Sequence, residues 1–329
     1  MHLGNVIRQQ RKNIRESWAA YQEILRWAPL ANQYRFRKAL PFVCIDEDLE
    51  RRCRMRLEPY FLARLAASSH HGPQADSFNA WILGRFERGS AGDVYKGDVF
   101  ELEMPAEFPN ARDIVVNDLR EILIENRYST YLPGGILAKE GDVVIDCGGN
   151  IGAFAVYAAT RAANVRVLAF EPEPATFRCL VRNVERNALQ KQVMCVQAGV
   201  TRTPGQFTLI LEDHCFTMHH LDNPASPGGA VALAPAPSTR TETVQCVTID
   251  DTIKSTGWNR CDLIKMDIEG AELEALEGAA ETIARYKPRL TLACYHKPCD
   301  PYSLTATIKR ICADYNVVVS REGHLYAFV

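Results

Sequence analysis

The stretch DVVIDCGGNIGAFAVYAATRAANVRVLAFEP, residues 142–172, constrains the fold more than any other part of the chain. Val143, Val144 and Ile145 form a short apolar run that ends at Asp146, and Gly148, Gly149 and Gly152 follow as a tight turn before a helix that begins near Ile151. A second apolar run, Val165 to Phe170, terminates in Glu171 and Pro172, so the whole reads as one βαβ unit with a right-handed crossover. Glycines in such a turn let a ligand approach the backbone, and an acid after the second strand suits a ribose diol.

The dinucleotide fingerprint G-x-G-x-x-G starts directly after the first strand, whereas Cys147-Gly148-Gly149-Asn150-Ile151-Gly152 supplies only part of it and places Asp146 in front. An acid there repels a pyrophosphate but can meet, directly or through water, the ammonium group of a methionine moiety. S-adenosylmethionine therefore fits better than a nicotinamide cofactor, with Asp146, Gly148, Asn150, Gly152 and Glu171 as its candidate ligands.

Asp146 to Gly152, AFEPEP at 169–174, Asn183 and Asn187 on the next helix, and LIKMDIEGAE at 263–272 together resemble the FkbM-type methyltransferase family across roughly residues 120–329. The resemblance implies an α/β, class I, Rossmann-like sheet of order 3-2-1-4-5-7-6 with an antiparallel strand 7. It also implies methylation of hydroxyl groups on sugars and natural products. By the same likeness, Gln197 and Ala198 at the end of the third strand are candidates for the adenine, and Tyr128, in the segment with Glu121, Glu125 and Tyr131, for closing over the methionine portion.

Composition narrows the alternatives. A formal charge of -2 over 329 residues gives no general attraction to nucleic acid. No apolar run is long enough to span a bilayer, and the N-terminus lacks the apolar core of a secretory signal, so a cytoplasmic protein is expected. Eleven cysteines without C-x-x-C pairs read as reduced, mostly structural thiols. A zinc site assembled from the Cys294-Tyr295-His296-Lys297-Pro298-Cys299 stretch with His214, Cys215, His219 and His220 is the weaker reading.

Residues 5–27 and 46–68 carry apolar positions at helical spacing, and 78–118 hold short strand-like pieces. The expected organisation is an N-terminal extension over 1–118, helical with short strands, which serves acceptor or subunit contacts, including a homo-oligomer through its helices. A methyltransferase domain over 119–329 follows. A Pro/Gly/Ala-rich insert around 213–241 interrupts that domain and reads as a mobile lid with histidines at its root. A single helix is expected after Gly270, and a closing hairpin near the C-terminus.

Ligands of an open α/β sheet sit beyond the carboxyl ends of its strands. Asp267 and Glu269 follow the fourth core strand and His296 the fifth, so these three face the acceptor side. His296 at its ordinary pKa of about 6.5 is the first candidate for the base that takes the acceptor's proton, with Asp267 orienting it. A divalent metal held by Asp267 with Asp250 or Asp251 is the disfavoured alternative. The reading is an O-methyltransferase acting on a small molecule or glycan. A nucleic-acid methyltransferase, for which MDIE stands in place of the usual Asn/Asp-Pro-Pro run, and a noncatalytic protein on the same fold are the other classes.

Overall fold

The computed structural model describes residues 42–44, 85–89, 93–97, 99–106, 108, 111–123, 127–129, 132, 137–211, 218–222, 240–297, 299–320 and 323–329. The helices expected over 5–27 and 46–68, Glu125, Tyr131, His214, Cys215 and most of the 213–241 insert lie outside them.

The N-terminal third contributes β1 (Phe42–Cys44), then β2 (Phe86–Arg88), β3 (Asp93–Lys96) and β4 (Glu101–Glu103), which form a small antiparallel sheet, and α1 (Ala111–Leu123). Val115, Leu119 and Ile122 recur at helical spacing on α1 and are buried.

The core then alternates strand and helix. β5 (Val143–Cys147) is buried along its whole length, α2 (Ala153–Arg161) follows the glycine turn, and β6 (Arg166–Phe170) pairs parallel to β5 in register from Val143–Arg166 to Cys147–Phe170. α3 (Pro174–Arg186) starts cleanly because Glu173 accepts a hydrogen bond from the Thr176 N–H at 2.5 Å and Pro174 has no N–H to satisfy. β7 (Val193–Val196) completes this half.

The described residues between 199 and 247 form a second sheet of β8 (Gly199–Val200), β9 (Gly205–Leu211), β10 (His220–Asp222) and β11 (Arg240–Val247). Its apolar face gathers Leu209, Leu211, Val244 and Cys246. α4 (Ile249–Thr256) is capped by Thr248, which accepts from the Asp251 N–H at 3.0 Å.

β12 (Leu263–Met266) lies parallel to β5 on its other side. Two helices follow where one was expected, α5 (Glu272–Glu277) and α6 (Ala280–Tyr286). The break falls at Gly278, where a Cβ would lie 2.1 Å from the Thr201 carbonyl oxygen, and Asp250 caps α6 by accepting from the N–H groups of Glu281 and Thr282. β13 (Arg289–Ala293), α7 (Asp300–Ile311) and the antiparallel hairpin of β14 (Asn316–Val319) and β15 (His324–Phe328) end the chain.

The large sheet runs β1-β14-β15-β13-β12-β5-β6-β7. Every neighbouring pair in it is parallel except the two made by β15. α1, α2 and α3 cover one face with Leu119, Phe154, Val156 and Leu180, while α4 to α7 cover the other with Ile249, Leu276, Ile283 and Leu304. A parallel sheet covered on both faces explains why its strands read as continuous apolar runs.

Asn183 and Asn187 tie the small sheet to this core. The Asn183 side chain accepts from the Glu103 N–H at 2.6 Å and donates to the carbonyls of Glu103 at 2.9 Å and Ile151 at 2.7 Å, and Asn187 pairs both ways with the backbone of Glu101. The Glu103 carboxylate pairs with Arg182 at 2.6 Å and Arg186 at 2.7 Å.

Candidate functional site

The chain turns sharply after β5 because nothing larger than glycine fits. At Gly148 φ is 78° and a Cβ would lie 2.2 Å from the Asp267 carbonyl oxygen; at Gly152 φ is 93° and a Cβ would lie 2.8 Å from Leu180 Cδ1. These glycines thus serve close packing of chain on chain first. The turn is pinned to the end of β6, since the Phe170 carbonyl accepts from Gly148 at 3.1 Å and Gly149 at 2.7 Å.

Beyond these strand ends lies a cavity. Gly148, Asn150, Phe170, Glu171, Pro172 and Ala198 line one part; Asp267, Ile268, Glu269 and Ala271 line another; Leu209, His219 and Leu221 reach in from the second sheet. Glu171 is held rigidly, one oxygen accepting from the Asn150 N–H at 2.9 Å and the other from the Glu173 N–H at 2.9 Å. Burial still outweighs those two donors and pushes its carboxyl up to about 7.

Several expected ligands do not line this cavity. Asp146 is wholly buried beneath it, its carboxylate 3.1 Å from Lys265 Nζ. That charge is answered by Lys265, so the carboxylate is not exposed to meet a methionine ammonium group. Gly152 caps α2 against Leu180, and Gln197 is exposed and outside the lining, whereas its neighbour Ala198 is part of it. Tyr128 stands behind the wall, donating from its hydroxyl to Asp267 Oδ2 at 3.2 Å.

Asp267 is the centre of a polar cluster. Tyr295 donates to its Oδ1 at 3.1 Å, and although burial works against its charge, Lys265 and His296 hold the carboxyl below its ordinary value. The turn after it carries Glu269 at φ 53° and Gly270 at φ 96°, a left-handed pair that leaves the Glu269 carboxylate at the cavity wall with a quarter of its side chain exposed. His296 follows β13 with Nε2 3.3 Å from Glu269 and 3.7 Å from Asp267, and Nδ1 3.0 Å from Glu272. Burial would lower the imidazole's pKa, yet Glu272 and Glu269 raise it well above 6.5. The neutral imidazole expected of His296 is therefore not the form its surroundings favour, and the ring is not part of the cavity lining.

The alternative metal partners do not meet. Asp250 is occupied as the cap of α6, and Cys294 and Cys299 are buried among apolar side chains. Among the described residues Asp267, Glu272 and His296 are the set with metal-ligand proximity.

Lys265, Glu272, Tyr295 and His324 belong to the site's surroundings and were not assigned from the sequence. Lys265 had a legible signal, a lysine inside the buried apolar run Leu263–Met266. Glu272 sits within the quoted DIEGAE, where its carboxylate reaches back to accept from the Ile268 N–H at 2.9 Å. Tyr295 and His324 meet only because β13 and β15 are neighbours, their rings 5.7 Å apart.

An open α/β sheet with one reversed strand near its edge, a glycine turn after the central strand and an acid after the next has the α/β class I methyltransferase fold. Residues 146–308 match the Methyltransferase FkbM domain family model, and that stretch of the chain is a methyltransferase domain of the family. It is 32% identical over 171 residues to 31-O-demethyl-FK506 methyltransferase FkbM of Streptomyces tacrolimicus, covering 46% of this chain and 64% of that one. It is 28% identical over 168 residues to hexuronic acid methyltransferase AglP of Haloferax volcanii, covering 51% and 62% respectively. The crystal structure of methyltransferase FkbM from Methylobacillus flagellatus KT superimposes with a TM-score of 0.44 at 24% identity, over 61% of this chain and 48% of that one. The chain spans between 9% and 64% of the length of the curated relatives it matches. Among the described residues no helix is long and apolar enough to cross a membrane.

Proposed function

We propose that the chain is an S-adenosylmethionine-dependent O-methyltransferase acting on a hydroxyl group of a sugar, glycan or natural product. The observation that carries this reading is the single cavity shared by Glu171, at the end of β6, and by Asp267 and Glu269, after β12. The cofactor would bring a methyl group on a sulfonium centre, and the residues on the Glu171 side fit it. The Glu171 carboxylate, with lone pairs left after its two backbone bonds, would accept from both hydroxyls of a ribose, while Phe170, Pro172, Ala198 and Val200 offer an apolar wall to an adenine.

The acceptor hydroxyl would lie on the Asp267 and Glu269 side. Glu269 is the better first recipient of its proton, because it reaches the cavity as a carboxylate while His296 stands behind it. Asp267 and His296 would then position Glu269. Hydroxyl acceptors are also what the names of the relatives that act on hexuronic acid and on 31-O-demethyl-FK506 suggest. Residues 119–329 would carry the cofactor and the reaction, and residues 1–118 the acceptor or subunit contacts.

The test is calorimetric titration of S-adenosylhomocysteine into the full chain and into Glu171→Gln, followed by a labelled-methyl screen of hexuronic acids and hydroxylated macrolides. Saturable binding that the substitution weakens roughly tenfold, the loss of a charge-assisted hydrogen bond, is the expected result. A folded chain that binds no S-adenosylhomocysteine overturns the reading.

A further inference from the structure

The imidazole of His296 is surrounded by carboxylates without being bonded to them. Its Nδ1 lies 3.0 Å from Glu272 and its Nε2 3.3 Å from Glu269 and 3.7 Å from Asp267, its side chain is nine-tenths buried, and neither ring nitrogen has a hydrogen-bond partner of acceptable geometry. Glu272 is 1% exposed, and its second oxygen, Oε2, is likewise without a partner. Buried polar atoms are normally satisfied, so unsatisfied atoms on two adjoining side chains, His296 and Glu272, beside the Asp267 carboxylate call for a partner.

We propose that Asp267, Glu272 and His296 form a binding site for one divalent transition-metal ion. One ligand atom from each of the three lies within 4.8 Å of the others, and two nitrogen or oxygen donors on a tetrahedral zinc ion stand about 3.4 Å apart. Closing the set onto an ion thus takes side-chain shifts of less than about an ångström. The supports are already present: the Ile268 N–H fixes Glu272, and the hydroxyls of Tyr128 and Tyr295 fix Asp267, the usual arrangement behind metal ligands.

The donor set also selects the ion. Magnesium and calcium take oxygen ligands and retain water, whereas an imidazole with two carboxylates suits manganese or zinc. The ion would take the place of the proton on His296, and Glu269, which is not needed as a ligand, would still face the cavity. The site follows from the three side chains alone and stands whether or not the chain transfers methyl groups.

The experiment uses the tag-free full chain after chelator treatment, titrated with Zn²⁺ or Mn²⁺ and, as control, Mg²⁺, with S-adenosylhomocysteine binding measured on the same sample. One saturable Zn²⁺ or Mn²⁺ site per chain is expected, weakened at least about tenfold in Glu272→Gln. Pulsed electron paramagnetic resonance of the Mn²⁺-loaded chain should show one imidazole nitrogen coupling, absent in His296→Gln. That coupling decides the matter if Glu272→Gln does not fold. No ion bound by a folded chain, or an ion bound without nitrogen coupling, overturns the proposal. A chain that binds S-adenosylhomocysteine but no ion would sink the metal site alone, and one that binds the ion but no S-adenosylhomocysteine would sink the methyltransferase reading alone.

Discussion

Lys265 reaches from the middle of β12 to place its Nζ 3.1 Å from the Asp146 carboxylate on β5 and 2.8 Å from the Gly148 carbonyl oxygen. Burial opposes the charge on Lys265, but Asp146 and Asp267 outweigh it and raise its pKa. The lysine therefore joins the strand end, the glycine turn and the Asp267 cluster through one ammonium group. Lys265→Met should destabilise the chain by about 3 to 5 kcal/mol in urea denaturation, because it leaves Asp146 buried and unpaired. Adding Asp146→Asn to that variant should recover part of the loss, and a double variant no more stable than the single one would show that the pair does not carry the effect.

Asn183 makes three hydrogen bonds that join β4, the start of α2 and α3. Asn183→Ala should cost about 2 to 4 kcal/mol, as it strands buried backbone groups of Glu103 and Ile151. Hydrogen exchange would localise the damage: amides of residues 93–103 should exchange faster while those of β5 and β12 keep most of their protection. Uniform loss across the sheet would mean that the small sheet is not an independently released unit.

The strands around Asp146, Glu171 and Asp267 were legible because buried parallel strands leave uninterrupted apolar runs and their ends carry the acids. The terminal hairpin was legible from Gly323 and its flanking apolar residues. The split between α5 and α6 was not, since helical periodicity continues through Gly278 and the reason for the break is a carbonyl at Thr201, far away in sequence. The glycines of the turn were legible as glycines, but the chain that crowds Gly148 is that of Asp267. His296 was found as a strand-end histidine, while its charge state depends on Glu272, which only the fold of α5 brings to it. Asn183 and Asn187 were recognisable by resemblance, and their task became clear only with β4 in place.

Gly148 offers a local test of the turn. Gly148→Ala adds a methyl group against the Asp267 carbonyl at a left-handed φ of 78°, so the backbone itself must shift. A loss of roughly 3 kcal/mol or failure to fold is expected, set by the clash together with the 1 to 2 kcal/mol conformational cost. An alanine variant of native stability would mean that the turn is looser than this packing implies.

Glu171 makes cofactor affinity depend on pH. Its carboxyl is pushed up to about 7, so the free chain is protonated there below neutrality, and a ribose diol is best accepted by the ionised form. Affinity for S-adenosylhomocysteine should rise as pH climbs toward and through 7, by up to about tenfold per unit on the acid side, and level off above it. In Glu171→Gln the same titration should be flat, and a slope unchanged by that substitution would assign the titration to another group.

His324 makes stability depend on pH with the opposite group chemistry. It is wholly buried on β15, its ring packed against Tyr128 and Tyr295, with neither nitrogen partnered. Burial and the nearby Arg127 lower its pKa to about 3. The unfolded chain takes up a proton at this residue near pH 6.5 and the native chain does not. The stability it contributes is thus full above 6.5 and declines as pH falls toward 3, by about 1.4 kcal/mol per unit. Carboxyls raised by burial, such as Glu171 and Asp118, run the other way and stabilise the native chain as pH falls, so only a comparison between variants isolates the histidine. Between pH 6.5 and pH 5 the wild type should lose roughly 2 kcal/mol relative to His324→Phe in urea denaturation. Parallel pH curves for the two proteins would mean that this imidazole finds a proton or a partner in the native state.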